Sequence, residues 1–174
     1  MKKTFRFLGT MLMAAVVAFT MTACGDDNDD ASSNPPSIAG TSLTINATNF
    51  TVNRAYWTSE VLNENEKWFT IMLSNCDIMN PVSPWHTISV VFRNNDGDLN
   101  VLPQGTFDIL SMSASIVTTD SDIAYYAFSG QVTIGANSIT IPALEYTESL
   151  DGTGTKYKGS NFSFSGSFTK LANY

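Results

Sequence analysis

A single histidine, His86, is all the imidazole in this sequence. One imidazole cannot build a His-rich metal centre or supply paired axial ligands to a haem. A Ser-His-Asp hydrolase would need His86 as its base, and no G-x-S-x-G turn is there to carry the nucleophile. His86 therefore reads as a surface or rim residue opening a strand, and neither a metal nor another cofactor is expected. Cysteine is almost as scarce, with only Cys24 and Cys76. Basic residues number nine against sixteen acidic ones, and Lys2, Lys3 and Arg6 crowd the first six positions, so the chain beyond residue 23 carries a net charge of −10. Binding a polyanion needs a basic patch that releases counterions, which excludes nucleic acid as an expected partner and disfavours adhesion to an anionic lipid surface. A long hydrophobic run is also missing: Phe7 to Phe19 spans thirteen residues, whereas crossing a bilayer takes ~20.

What the first forty residues do contain is an ordered series. A basic stretch precedes the apolar run, Thr22 and Ala23 are small, Cys24 follows, and Gly25-Asp26-Asp27-Asn28-Asp29-Asp30 comes next. The first part is the plan of a secretory signal. Met21-Thr22-Ala23-Cys24 resembles the lipobox of bacterial lipoproteins, with Met where Leu is usual. That resemblance implies removal of residues 1–23, a diacylglyceryl group on the Cys24 thiol and acylation of its new amino group. Asp26, Asp27, Asp29 and Asp30 resemble the export signal that Bacteroidota place behind the lipidated cysteine. It implies the outer membrane with the domain facing the exterior, the alternative being the periplasmic face and a merely solvated acidic linker. Ala31 to Gly40, broken by Pro35-Pro36, reads as a spacer. The sixteen residues from Gly25 to Gly40 would hold a domain roughly 20 to 24 Å from its anchor.

If lipid occupies the Cys24 thiol, Cys76 has no partner for a disulfide, and burial as a small hydrophobe is its expected state. The fold then stands on its core alone. Residues 41–174 suffice for one such core, so the expected organisation is a leader at 1–23, a tether at 24–40 and a single domain at 41–174.

That domain is expected to be all-β. β-branched, aromatic and serine residues alternate between turn signals, giving strands at Leu43–Asn46, Phe50–Glu60, Lys67–Asn75, His86–Arg93, Thr106–Val117, Ile123–Gly135, Ser138–Thr147 and Lys156–Leu171. Asn94-Asn95-Asp96-Gly97-Asp98, Gly135-Ala136-Asn137 and Asp151-Gly152-Thr153-Gly154 supply residues that tolerate positive φ, and Leu102-Pro103-Gln104-Gly105 fits a type I turn. Phe162, Phe164 and Phe168 share one face opposite serines, with Gly166 marking a bulge or close approach. Apolar parity changes between Phe107 and Ile116, which predicts a bulge near Ile109. Pro142 cannot donate to a ladder and implies an edge or an irregularity. Open edges favour an antiparallel β-sandwich of about eight strands over the alternative, a calycin-like β-barrel.

Catalytic patterns are weak. Asn94, Asp96 and Asp98 alternate as calcium ligands do, but Leu99 and Gly105 stand where an EF-hand needs Gly and Glu, so a polar turn is the expectation. Glu60, Glu64, Glu66, Asp77, Glu145 and Glu148 offer carboxylates without singling out a pair, so a glycoside hydrolase remains only a minor alternative to a non-enzyme. Aromatic residues are more suggestive: Tyr56-Trp57, Trp68-Phe69 and Tyr125-Tyr126 are adjacent pairs, so one ring of each points outward. Trp57, Trp68 and Trp85, with Asn53, Arg54, Asn75 and Asn80 as polar neighbours, are candidates for a ligand surface, and core packing is the competing explanation. The connection Asn75 to Trp85, with Pro81 and Pro84, exceeds hairpin length and is the expected place for a site.

The whole resembles small surface lipoproteins of Bacteroidota, in which lipobox, acidic run and spacer precede a β-sandwich. The resemblance implies a membrane-anchored extracellular module that binds a glycan or protein ligand or mediates adhesion, the alternative being a structural subunit of a fimbria-like assembly that exchanges its terminal strand.

Overall fold

The computed structural model describes residues 41–171. The leader, Cys24, the acidic run Asp26, Asp27, Asp29 and Asp30, the tether to residue 40 and residues 172–174 lie outside them. The described chain has no helix and thirteen strands. These are β1 Thr41–Ile45, β2 Thr48–Val52, β3 Arg54–Asn63, β4 Glu66–Ser74, β5 Trp85–Arg93, β6 Gly105–Val117, β7 Asp122–Ala127, β8 Gln131–Gly135, β9 Ser138–Ile141, β10 Glu145–Tyr146, β11 Tyr157–Lys158, β12 Phe162–Ser165 and β13 Phe168–Lys170. The fold is all-β, a curled two-layered sandwich with half-barrel character.

Nine strands form one sheet in the order β12-β9-β8-β6-β5-β4-β3-β13, with β7 beside β6. All neighbours are antiparallel except β13, which runs parallel to β3. The long strand β6 makes this possible. Its residues 105–108 pair with β8 and its residues 112–117 with β7. Between them the ladder to β5 slips: Val91 faces Ser111, Phe92 faces Ile109, and Leu110 is the extra residue. This is the bulge that the parity change predicts, and a bulge is how a strand passes from one layer to another.

A second joint closes the sheet. Only Gly166 and Ser167 separate β12, at one end of the strand order, from β13 at the other. Three Cα steps span at most about 11 Å, so the sheet must curl until its ends nearly meet. The Phe164 and Phe168 rings accordingly lie 6.1 Å apart. Phe162 and Phe164 are buried as expected, whereas Phe168 belongs to the next strand and is half-buried.

The β1–β2 hairpin fills the concave side. Its alternate residues Leu43, Ile45, Phe50 and Val52 are fully buried. A two-residue turn joins the strands through Asn46 and Ala47, at φ 47° and 61°, the mirror-image turn that suits strand twist. Single bridges, Ile45 with Gly159 and Tyr126 with Thr147, link this hairpin through β10 and β11 to the edge of β7. Through the core runs a file of rings, Trp57, Phe69, Phe92 and Phe107, with successive centroids 6.4, 5.7 and 4.7 Å apart. Rings in offset or tilted contact add ~0.5–1.5 kcal/mol per pair to their burial.

Four expected strands are each divided. Asn53 separates β2 from β3 because residues before it pair with β1 and those after it with β4. Gly130, at φ 133°, separates β7 from β8, and a Cβ there would stand 2.4 Å from a Leu144 methyl. Pro142 ends β9, which lies between β8 and β12, so the proline marks an irregularity and not a sheet edge. The segment from Lys156 to Leu171 becomes β11, β12 and β13, each with a different partner.

Candidate functional site

Register decides which aromatic rings reach solvent. Trp57 lies opposite Ile71 on the inner face; it is 5% exposed, stacks on Phe69 and carries Lys170 Nζ 5.2 Å from its ring centre. It is a core residue and gives no platform to a ligand. Trp68 faces outward between Glu60 and Arg93, yet it is only 9% exposed. Its Nε1 donates to Glu66 at 3.1 Å, and Arg93 pairs with the same carboxylate at 2.7 Å. Trp85 is half-buried and donates Nε1–H to Ser74 Oγ at 2.9 Å. Asn80 is exposed, with Nδ2 3.4 Å from Asp77 Oδ2. The structure therefore leaves Trp57 on the inner face and Trp68 and Trp85 toward opposite ends of the outer face, each largely covered.

His86 shares the inner face of β5 with Ile88, Val90 and Phe92. Its Nδ1 accepts the Thr51 backbone N–H at 3.0 Å, and burial lowers its pKa below the ordinary value. The rim histidine thus joins β5 to the β1–β2 hairpin. Cys76 is half-buried beside Ser74, and its sulfur accepts the Val82 N–H at 3.4 Å. In the Asn94–Asn100 turn the Asp98 carboxylate takes the Asn100 N–H, and among the described residues no three of His, Cys, Asp and Glu converge as a metal set.

A concave feature lies elsewhere. A depression of about 410 Å³ is lined by Thr147, Glu148, Ser149, Thr153, Gly154, Thr155 and Tyr157. Its wall is the β10–β11 connection, folded upon one carboxylate. Asp151 Oδ1 accepts Ser149 Oγ at 2.5 Å, Thr153 N at 2.9 Å and Thr153 Oγ1 at 2.6 Å. These donors, Ser149 first, bring Asp151 down to about 2. Thr147 Oγ1 donates to Thr153 O at 2.6 Å and ties the wall to its base, while Gly152 and Gly154 turn at φ 74° and 90°.

Tyr157 forms the apolar part. Its ring meets Tyr125 edge-on at 5.5 Å, and Tyr125 Oη accepts Asn46 Nδ2 at 3.3 Å from the tip of the β1–β2 hairpin. Burial and then the Glu148 carboxylate raise the Tyr157 phenol above its usual value, so it remains a donor at neutral pH. The result is one aromatic surface, one carboxylate acceptor and the four hydroxyl side chains of Thr147, Ser149, Thr153 and Thr155 around a shallow bowl. Sequence reasoning read this segment as a turn at Asp151–Gly154; the signal available was the density of Thr, Ser and acidic residues between Tyr146 and Tyr157.

No protein-family model, no curated protein and no solved structure matches the chain.

Proposed function

We propose that this protein is an outer-membrane surface lipoprotein, anchored through Cys24, whose domain is a non-enzymatic binding module for neutral saccharides. The observation that carries the ligand class is the bowl around Tyr157. A ring face suits the apolar C–H surface of a sugar, while the Ser149 and Thr153 oxygens, whose protons go to Asp151, the Thr155 hydroxyl and the Glu148 carboxylate offer acceptors to its hydroxyls. The net charge of −10 beyond the leader argues against anionic ligands. Surface display is supported by the leader and acidic run alone. The fimbria-like alternative gains nothing from the fold, since β12 and β13 already pair with β9 and β3.

The test is a glycan array followed by titration of the hits, read by amide shifts of residues 147–157. Neutral oligosaccharides should move those resonances, and Tyr157→Ala should weaken binding at least tenfold at a temperature where its dichroism shows the variant fully folded, since loss of the Tyr125 contact lowers its melting temperature. Hits whose shifts fall elsewhere, or no hit at millimolar sugar, would sink the reading.

A further inference from the structure

The connection between β4 and β5 is an apolar projection braced by hydrogen bonds. Asn75 clamps its two ends: Nδ2 donates to Pro84 O at 2.7 Å, and Oδ1 accepts His86 N at 2.8 Å. Asp77 accepts the Met79 N–H at 2.9 Å through Oδ1 and the Asn80 N–H at 3.1 Å through its backbone carbonyl. On one side the loop covers Tyr56, whose phenol is raised by burial and then by Asp77. On the other it offers Met79 and Val82 to solvent, 53% and 55% exposed. The only charged residue between Asn75 and Trp85 is Asp77, which is turned to its own loop. Val61 and Leu62, another exposed apolar pair, differ in sitting between Glu60 and Glu64.

The position of this loop matters as much as its chemistry. Thr41, where the described chain begins, pairs with Val52, and the adjacent Asn53 donates to Ser74 O at 2.8 Å, one residue before the loop. Those steps place Thr41 and Ser74 within about 15 Å of each other. The hairpin tip at Asn46, beside the Tyr157 bowl, is at the other end of β1, about 16 Å away along the strand. Thr41, to which the tether is joined, and the apolar loop therefore share one side of the domain.

We propose that the loop Ile78–Pro84 is a membrane-seating wedge: Met79 and Val82 enter the interfacial zone of the bilayer that holds the anchor, while the saccharide bowl stays clear at the far end of the hairpin. This rests on the surface-lipoprotein reading above. Exposed apolar patches mark protein or membrane contacts. Here the short tether selects the membrane, since it confines the loop to within a few nanometres of lipid and makes even a weak apolar contact effectively intramolecular. Because the domain is acidic, seating is expected on neutral lipid and is opposed by anionic lipid.

Quenching by bromine-labelled acyl chains tests this, because Trp85 follows the wedge directly. The full chain is purified from host membranes, its mass is measured for acyl groups at Cys24, and it is placed in vesicles of brominated phosphatidylcholine. Should no acyl mass be found, the anchor reading fails separately, and the same chain is mixed with those vesicles at millimolar lipid. The wedge predicts quenching that Trp85→Phe removes and that M79D/V82D lowers at least fivefold, with near-ultraviolet dichroism unchanged. V61D/L62D should leave quenching as it is. Absent quenching, or quenching indifferent to M79D/V82D, overturns the wedge whatever the mass at Cys24. So does a dimer in solution that M79D/V82D dissolves, which would assign the loop to a second copy.

Discussion

His86, at the rim of β5, holds the β1–β2 hairpin to the large sheet through one imidazole nitrogen. Because Nδ1 accepts the Thr51 N–H, the ring must be neutral with its proton on Nε2; protonation would put a second donor against the first. Burial lowers the folded pKa, so between the folded and unfolded values the unfolded chain binds more protons. The stabilisation is complete above about pH 6.5 and declines as pH falls from there toward the folded pKa. His86→Gln keeps an acceptor without the titration, so its melting temperature should be flat between pH 7 and 5 where that of the wild type falls. His86→Ala should cost about 1–3 kcal/mol at pH 7 by leaving the Thr51 N–H without its acceptor. Asp151 has the same sign in a lower window: its ordering of the bowl wall is present above about pH 4 and is lost as pH falls toward about 2.

Among the elements, the β1–β2 hairpin is the most exposed to its turn chemistry. Asn tolerates the left-handed region, but Ala47, at φ 61°, occupies it at a steric cost of ~1–2 kcal/mol. Ala47→Gly removes that cost and gives back part of it as entropy of the unfolded chain, so thermal unfolding should show a gain of about 0.5–1 kcal/mol. Neither this turn nor the separate hairpin was legible from sequence, since Phe50 to Glu60 alternates as one strand would. What splits it is tertiary: the Thr41 hydroxyl bonds to Ser163 O, 122 positions away, and Thr51 bonds to His86. Local parity did reveal the bulge at Leu110 and the buried Phe162 and Phe164, because those follow from a period of two. It could not say which of Tyr56 and Trp57 faces inward, as that depends on the register with β4, nor that Glu66 and Arg93 would cover the outward Trp68. The bowl escaped notice because its wall is built from turn residues, and their convergence on Tyr157 depends on the Asp151 and Thr147 hydrogen bonds.

At the scale of the molecule, two joints make both layers depend on one core. β6 crosses between them at Leu110, and β12 passes into β13 through Gly166 and Ser167. Leu43, Ile45, Phe50 and Val52 of the hairpin belong to the same buried cluster as Phe69, Ile88 and Phe164 of the large sheet. A hairpin attached only by its edges would melt before the sheet; one whose alternate side chains fill the concave core cannot leave without exposing the sheet itself. Unfolding should therefore be a single transition, with far-ultraviolet dichroism and tryptophan fluorescence coincident, even though Trp57, Trp68 and Trp85 all lie in the sheet. Phe50 touches Tyr125 edge-on at 5.9 Å and is fully buried, so Phe50→Ala should cost about 3–5 kcal/mol. That loss should appear in the fluorescence midpoint of the sheet as fully as in the dichroism. If fluorescence instead kept its wild-type midpoint while part of the dichroism melted early, the hairpin would be a separate unit. With the Asn46–Tyr125 hydrogen bond gone, one side of the bowl would then open before the domain unfolds.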